Sequence, residues 1–188
     1  MLGSIATPGV VKGLFEIHRD LGSMPIRDVV APAIALAREG VKICDLHAYI
    51  FSVVETIFMA TEATRAIFAS PADPSRLIGA GEVLRQPQFA DTLEVLAIEG
   101  DDLFYRGEIA REIDRQCREH GGSLTRADLE AYRVEKRRPL TGDYRGVRVL
   151  TNPPPASGGA LILFTLEMLE AVRDLGAIPF GSCRQLGI

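Results

Sequence analysis

The 188-residue sequence has no tryptophan, and aromatic residues make up only 6% of it. Its core must therefore rest on Leu, Ile, Val and Ala. Cysteines number three, Cys44, Cys117 and Cys183, odd in count and far apart, so no disulfide framework can be read from them. No C-x-x-C occurs, and His18, His47 and His120 never fall at a metal-ligand spacing, which argues against a structural zinc site and implies no cofactor. Basic residues do not dominate: 21 Lys and Arg stand against 25 Asp and Glu, with the signs interspersed, so the phosphate-neutralising field of a nucleic-acid binder is missing. The longest apolar stretch, residues 50–60, is broken by Ser52, Glu55 and Thr56 and is too short to span a bilayer. A signal peptide, with its basic start and apolar core, is not seen at the beginning of the sequence, and compartment stays open.

Hydrophobic residues at 47% and charged residues at 24% are those of a globular chain, long enough to bury about 70% of its unfolded surface. Most of it has helical period. Thr7-Pro8 reads as a helix opening, Thr as cap and Pro at the first helical position, followed by Val10, Leu14, Ile17 and Leu21 at helical spacing up to Gly22. A second helix is expected over residues 26–39, stopped by Gly40 and kinked or split by Pro32. A third apolar stretch opens at Asp45 and carries Ile50, Val53, Val54, Ile57 and Phe58 to its end at Ser70-Pro71. Residues 70–87, with three prolines and two glycines, read as an irregular surface loop. Helical faces return with Phe89, Leu93, Leu96 and Ala97, then with Ile109, Ile113 and Cys117, which Gly121-Gly122 ends. Thr125 and Asp128 have capping-box spacing, and Leu124 and Leu129 the spacing of a hydrophobic staple, which predicts a helix over 126–132.

The period then changes. Residues 139–150 alternate and are punctuated by Gly142 and Gly146, which predicts a strand pair. Asn152-Pro153-Pro154-Pro155 is expected to be extended. Residues 160–172 form a helix apolar on nearly every side, which needs burial all round, by a cover that this sequence does not obviously supply. There is no internal repeat and no linker, so residues 1–188 read as a single unit. The fold class is mainly α with a small β hairpin near 138–151.

Chemistry-bearing residues each have a plainer reading. Ala156-Ser157-Gly158 resembles a nucleophile elbow, but Pro155 stands where that motif needs its first Gly, and Ser157 capping the following helix is the plainer account. Ser157-Gly158-Gly159 as an anion cradle lacks the following Lys-Ser or Lys-Thr. His18, His47 and His120 read as structural or surface residues. Asp101-Asp102 reads as a solvated cap rather than a carboxylate pair. Glu108, Arg111, Glu112, Asp114, Arg115, Arg118 and Glu119 read as a mixed-charge solvent face, and Cys117 as core packing. Residue chemistry alone shows no active site.

Five stretches in order carry a resemblance. They are residues 6–13 (Ala6-Thr7-Pro8-Gly9 through Gly13), residues 30–40 (Val30-Ala31-Pro32-Ala33 through Gly40), residues 104–110 (Phe104-Tyr105-Arg106-Gly107 through Ala110), residues 121–132 (Gly121-Gly122-Ser123 through Tyr132), and Tyr144-Arg145-Gly146 with residues 153–159. Together they resemble the large subunit of the γ-glutamyltransferases (γ-glutamyltranspeptidases), over roughly residues 3–188, with Ala156 where the family usually has a second Ser.

The resemblance implies the helical part of an N-terminal-nucleophile hydrolase α/β/β/α architecture. It also implies a precursor that cuts itself into a large and a small subunit. The cut exposes a Thr whose own α-amine serves its hydroxyl, and that Thr takes the γ-glutamyl group from glutathione or a related amide. No Thr-Thr or Thr-Ser pair occurs here, so the family's Thr-Thr-His-like junction is missing from the sequence. None of the matched positions is a family catalytic, substrate-binding or metal residue. The expectation is a fragment of the large subunit, inactive alone, whose partners in the intact enzyme are the small subunit and a γ-glutamyl donor such as glutathione, and whose exposed core favours self-association. The alternatives are a stand-alone helical interaction module and a fragment of a related acylase, cephalosporin-acylase-like.

Overall fold

Glycines and prolines set the helix ends. The computed structural model describes residues 3, 5–172 and 175–182, and the chain packs as two compact units, Met1–Val134 and Glu135–Ile188. Cys183 lies outside the described residues.

In the first unit, α1 (Val10–Leu21) starts after Gly9, so Thr7 does not cap it and Pro8 lies before the first turn. It ends as expected at Gly22, whose N–H donates to the His18 carbonyl at 2.8 Å. Helix α2 (Ile26–Glu39) has the expected bounds and runs through Pro32 as one helix rather than two. One missing N–H is a local loss, and the packing of α2 along a later helix holds its two halves in line. At its end Gly40 adopts φ 96°, a left-handed conformation that a side chain would strain. A short strand, β1 (Val41–Lys42), follows.

The third apolar stretch is not one helix. It divides into α3 (Asp45–Val53), α4 (Glu55–Phe58) and α5 (Glu62–Phe68). Thr61 starts the last of these with a capping box to Thr64. The reversals gather three phenylalanines: Phe58 and Phe68 stack at 4.0 Å, and Phe51 meets them edge-on at 5.3 and 5.8 Å. That gain outweighs the continuous stripe the spacing predicted.

Residues 70–82 are far from irregular. Ser70 is buried, and its hydroxyl donates to Glu82 Oε1 at 2.5 Å while accepting from the Ala72 and Asp73 N–H groups. The same carboxylate takes the Gly79 N–H at 2.6 Å and both guanidinium nitrogens of Arg76 at 2.9 and 2.8 Å. The loop then feeds β2 (Val83–Leu84), antiparallel to β1.

Next come α6 (Pro87–Glu99), along which α2 packs, α7 (Asp102–Tyr105), α8 (Glu108–His120) and α9 (Arg126–Ala131). Gly121 closes α8 in the left-handed conformation, φ 76°. The capping box forms as predicted: Thr125 Oγ1 accepts from the Asp128 N–H, and Asp128 accepts from the Thr125 N–H at 2.9 Å. Leu124 and Leu129 of the staple are both buried, in one cluster with Tyr105, Ala110 and Cys117. Ile43, Ile78, Ala90 and Leu96 are buried elsewhere in the unit.

In the second unit the expected hairpin is β3 (Leu140–Tyr144) and β4 (Val147–Thr151), paired from Leu140↔Thr151 to Tyr144↔Val147. Arg145 (φ 50°) and Gly146 (φ 79°) form a two-residue turn of the type whose twist matches the strands. Pro154 and Pro155 make a turn instead of continuing extended. Helix α10 (Ser157–Ala171) packs on both strands. Leu163 lies so close to Gly142 that a Cβ there would stand 2.8 Å from its Cδ2. Burial all round is not achieved among the described residues: Leu161, Ile162, Phe164 and Met168 are exposed. The chain is thus mainly helical with two small antiparallel sheets, and among the described residues no helix is long and apolar enough to cross a membrane.

Glu82 organises its loop, and its chemistry gives a test. Arg76 first, then Ser70 and the Gly79 N–H, hold its carboxyl at about 2 against an ordinary 4.5. A lowered acid stabilises the fold above its ordinary value, and the contribution is lost as pH falls from about 4.5 towards about 2. Glu82→Gln is expected to flatten that acid limb in urea melts and to speed hydrogen exchange at the Ala72, Asp73 and Gly79 amides. An unchanged limb with unchanged exchange would remove Glu82 from this role.

Candidate functional site

Tyr105 is the most connected side chain of the first unit. Helix α7 delivers it to the core, where it is fully buried. Its hydroxyl donates to the Pro8 carbonyl at 2.7 Å and accepts the Lys12 backbone N–H at 3.1 Å. Lys12 is the third residue of α1, one of the first-turn positions whose N–H has no partner inside the helix. A phenol distant in sequence therefore does the capping that Thr7 was expected to do.

The Lys12 ammonium stands 4.5 Å from the Tyr105 ring centroid and donates to the Tyr132 carbonyl at 3.1 Å. The Tyr105 and Tyr132 rings stack at 5.8 Å. Gly9 makes the approach possible, since a Cβ there would fall 2.2 Å from the Tyr132 hydroxyl oxygen. Burial pushes the Tyr105 phenol up, so it stays a neutral donor and acceptor.

Beside this hub lies a cleft of about 450 Å³ lined by Lys12, Glu16, Arg19, Asp101, Asp102, Arg106, Arg133 and Val134. Its charges are spoken for. Arg19 donates to Glu16 at 2.5 Å and to Asp101 at 3.1 Å, which raises its guanidinium further, Glu16 contributing most. Arg106 pairs with Asp102 at 3.2 Å. Arg133 donates to the Glu130 and Tyr132 carbonyls at 2.7 and 2.8 Å. Exposed pairs of this kind add little stability, and a cation already held by a carboxylate or carbonyl does not activate a nucleophile.

The residues weighed from sequence scatter. Asp101 holds the position before α7 but makes no side-chain cap and binds Arg19 instead. Ser157 is not the cap of α10: Ala156 occupies that position, and Ser157 is the exposed first residue of the helix. Its unit contains no histidine to serve it as base. His18 Nε2 lies 2.8 Å from the Met24 carbonyl, His47 stacks on Phe51 at 6.4 Å, and His120 ends α8. Cys117 is in the core as expected. Asp114 is not on a solvent face. It is buried, accepts the Arg126 N–H at 3.2 Å and pairs with Arg118, joining α8 to the start of α9. Among the described residues no group of His, Cys, Asp and Glu is arranged to hold a metal ion.

Sequence reasoning missed Tyr105, Lys12 and Tyr132. No signal in the sequence singled them out: Lys12 lies opposite the aliphatic stripe of α1, beside Glu16 and Arg19, where charged residues are expected to face water.

The helices and paired strands are those of the helical part of an N-terminal-nucleophile hydrolase fold, as known structures show. Helicobacter pylori γ-glutamyltranspeptidase superposes with a TM-score of 0.88 and 27% identity over 99% of this chain and 52% of its own. The Bacillus anthracis transpeptidase CapD gives 0.73 and 32% over 88% of this chain and 56% of its own. The family model for gamma-glutamyltranspeptidase matches residues 2–186, and the chain belongs to that family. The glutathione hydrolase proenzyme of Escherichia coli (strain K12) is 37% identical over 97% of this chain, and the acylase ACY 1 proenzyme of Pseudomonas sp. (strain V22) 32% identical over 95%. The chain spans 31% of the length of each of these two relatives.

The hub is open to a direct test. Tyr105→Phe keeps the ring stack but leaves the Pro8 carbonyl and the Lys12 N–H without their partner, an expected loss of about 1–3 kcal/mol in urea unfolding. A loss below about 0.5 kcal/mol would show that water or a backbone shift replaces the hydroxyl.

Proposed function

We propose that this chain is an internal part of the large subunit of a γ-glutamyltransferase-like enzyme. In the whole enzyme a Thr outside this sequence, freed by self-cleavage, attacks the γ-glutamyl carbonyl of glutathione or a related amide. Its own α-amine takes the hydroxyl proton and later passes one to the departing amine. Backbone N–H groups stabilise the oxyanion, and water or an amino acid then removes the acyl group. The chain itself supplies scaffold: α7 to α9 and the Tyr105 hub fix α1, and the hairpin with α10 forms a second rigid piece. The small subunit and the γ-glutamyl donor are its partners in that enzyme.

One observation carries the reading. The likeness to proenzymes runs over nearly the whole chain, and hydroxyls that the described residues bring to a carboxylate, such as Ser70 to Glu82 and Thr125 to Asp128, order a loop and cap a helix. A second reading, a related acylase on the same scaffold, draws on the 32% identity to acylase ACY 1.

Assayed alone with a chromogenic γ-glutamyl anilide, the chain is expected to give the rate of buffer. Turnover clearly above buffer, and abolished by Ser157→Ala, would replace this reading with a serine hydrolase. Exchanged for the matching segment of the Escherichia coli proenzyme, the chain is expected to permit self-cleavage and γ-glutamyl anilide hydrolysis.

A further inference from the structure

Three basic residues run together at Lys136-Arg137-Arg138, and nowhere else in the sequence do two basic residues stand side by side. The run lies between α9 and β3. Residues 132–139 form neither helix nor strand, and Glu135, Lys136, Arg137, Arg138 and Pro139 are all exposed. The boundary between the two compact units falls just upstream, after Val134.

Other basic residues are placed differently. Among the described residues most lie within helices or strands. Arg85, Arg106 and Arg145 sit in short connections, 85–86, 106–107 and 145–146. Arg76 occupies a longer loop, but Glu82 holds both of its guanidinium nitrogens. An endoprotease takes its substrate as an extended stretch of several residues, so it cuts where backbone is exposed outside helices and tight turns. Arg137 donates to the Pro154 carbonyl at 2.9 Å, an exposed bond that water replaces at little cost.

Pro139 selects the bond. A protease with acidic pockets for two successive basic side chains can seat Lys136-Arg137 and cut after Arg137. Seating Arg137-Arg138 instead presents the bond to Pro139, whose ring nitrogen carries no hydrogen and whose backbone angle is fixed, and that bond resists. We propose that Lys136-Arg137 is a processing site for an endoprotease selective for paired basic residues. Water adds across the Arg137–Arg138 peptide bond: the C–N bond breaks, the hydroxyl joins the Arg137 carbonyl carbon and the hydrogen joins the Arg138 nitrogen. One piece keeps Lys12, Tyr105 and Tyr132 together, and the other keeps the β3–β4 hairpin with α10. The site belongs to this chain's own backbone and does not depend on the γ-glutamyl chemistry.

The folded chain is treated with a kexin-type endoprotease, which requires a basic pair, and the products are weighed by intact-mass spectrometry. A single cut between Arg137 and Arg138 is expected. Lys136→Gln is expected to slow it by about tenfold or more, because the pocket for the second cation is left unpaired. Lys136→Gln with Pro139→Ala is expected to restore cutting, moved to the 138–139 bond. Both changes are at exposed positions, so Tm is expected to stay within about 2 °C. With trypsin, the first cut among the described residues is expected between Arg133 and Arg138. A folded chain that resists the basic-pair protease, while the urea-unfolded chain is cut, would overturn the proposal. So would a first tryptic cut after Arg76, Arg106 or Arg145, or a double variant that stays uncut.

Discussion

One phenolic hydroxyl ties the first unit together. Tyr105 accepts a first-turn N–H of α1 and donates to the carbonyl of Pro8 just before it, so the start of that helix is fixed from another element. The arrangement works only because neighbouring residues comply. Gly9 leaves room for the Tyr132 ring, Lys12 lies over the Tyr105 ring, and Tyr132 stacks on the same Tyr105 ring while its carbonyl holds the Lys12 ammonium. A buried hydroxyl with both of its roles filled is worth more than the same group in water, because the alternative is an unpaired group in a poorly polarisable interior. The three resembling stretches around Thr7-Pro8-Gly9, Phe104-Tyr105 and Ala131-Tyr132 are far apart in the chain and meet here.

Local chemistry was legible wherever a decision depended on neighbours in sequence. The bounds of α2, the left-handed stop at Gly121, the Thr125 and Asp128 box and the hairpin around Arg145-Gly146 all rest on contacts within a few residues. The failures share the opposite property. Thr7 yields its capping role to a tyrosine some hundred residues away, as the separation of Lys12 from Tyr105 shows. The long apolar stretch after Asp45 breaks because Phe51, Phe58 and Phe68 gain by meeting. Residues 70–82 look structureless by composition, yet one carboxylate gathers a hydroxyl, an amide and a guanidinium and makes the loop rigid. Asp114, placed by spacing among solvent charges, is drawn inward by the bare N–H of Arg126.

The site was the least legible part. Composition and spacing yielded no converging nucleophile and base, and hydroxyl–carboxylate pairs that the structure shows, such as Ser70 with Glu82 and Thr125 with Asp128, are a loop tie and a helix cap. Ser157 illustrates why a motif must be weighed with its surroundings. It has the glycines of an elbow after it, but the geometry makes it an exposed first residue of a helix, and its unit contains no histidine. Reaction chemistry needs polar groups left partly unsatisfied until a substrate arrives. In the cleft beside Tyr105 the opposite holds: each guanidinium already has its carboxylate or carbonyl.

Scaffold and chemistry make different demands on a chain, and the contacts described above are of the first kind. A support for a reacting centre needs rigid elements whose positions are set by many fixed contacts. Tyr105 between Pro8 and Lys12, Glu82 at the centre of its loop, and the tight hairpin under α10 each fix one element against another. Of the three, the hairpin alone uses a non-glycine residue at positive φ, Arg145. A region built this way tolerates change at its surface more readily than at Gly9, Tyr105 or Gly142, where close approach leaves no space for an added carbon or a lost hydroxyl.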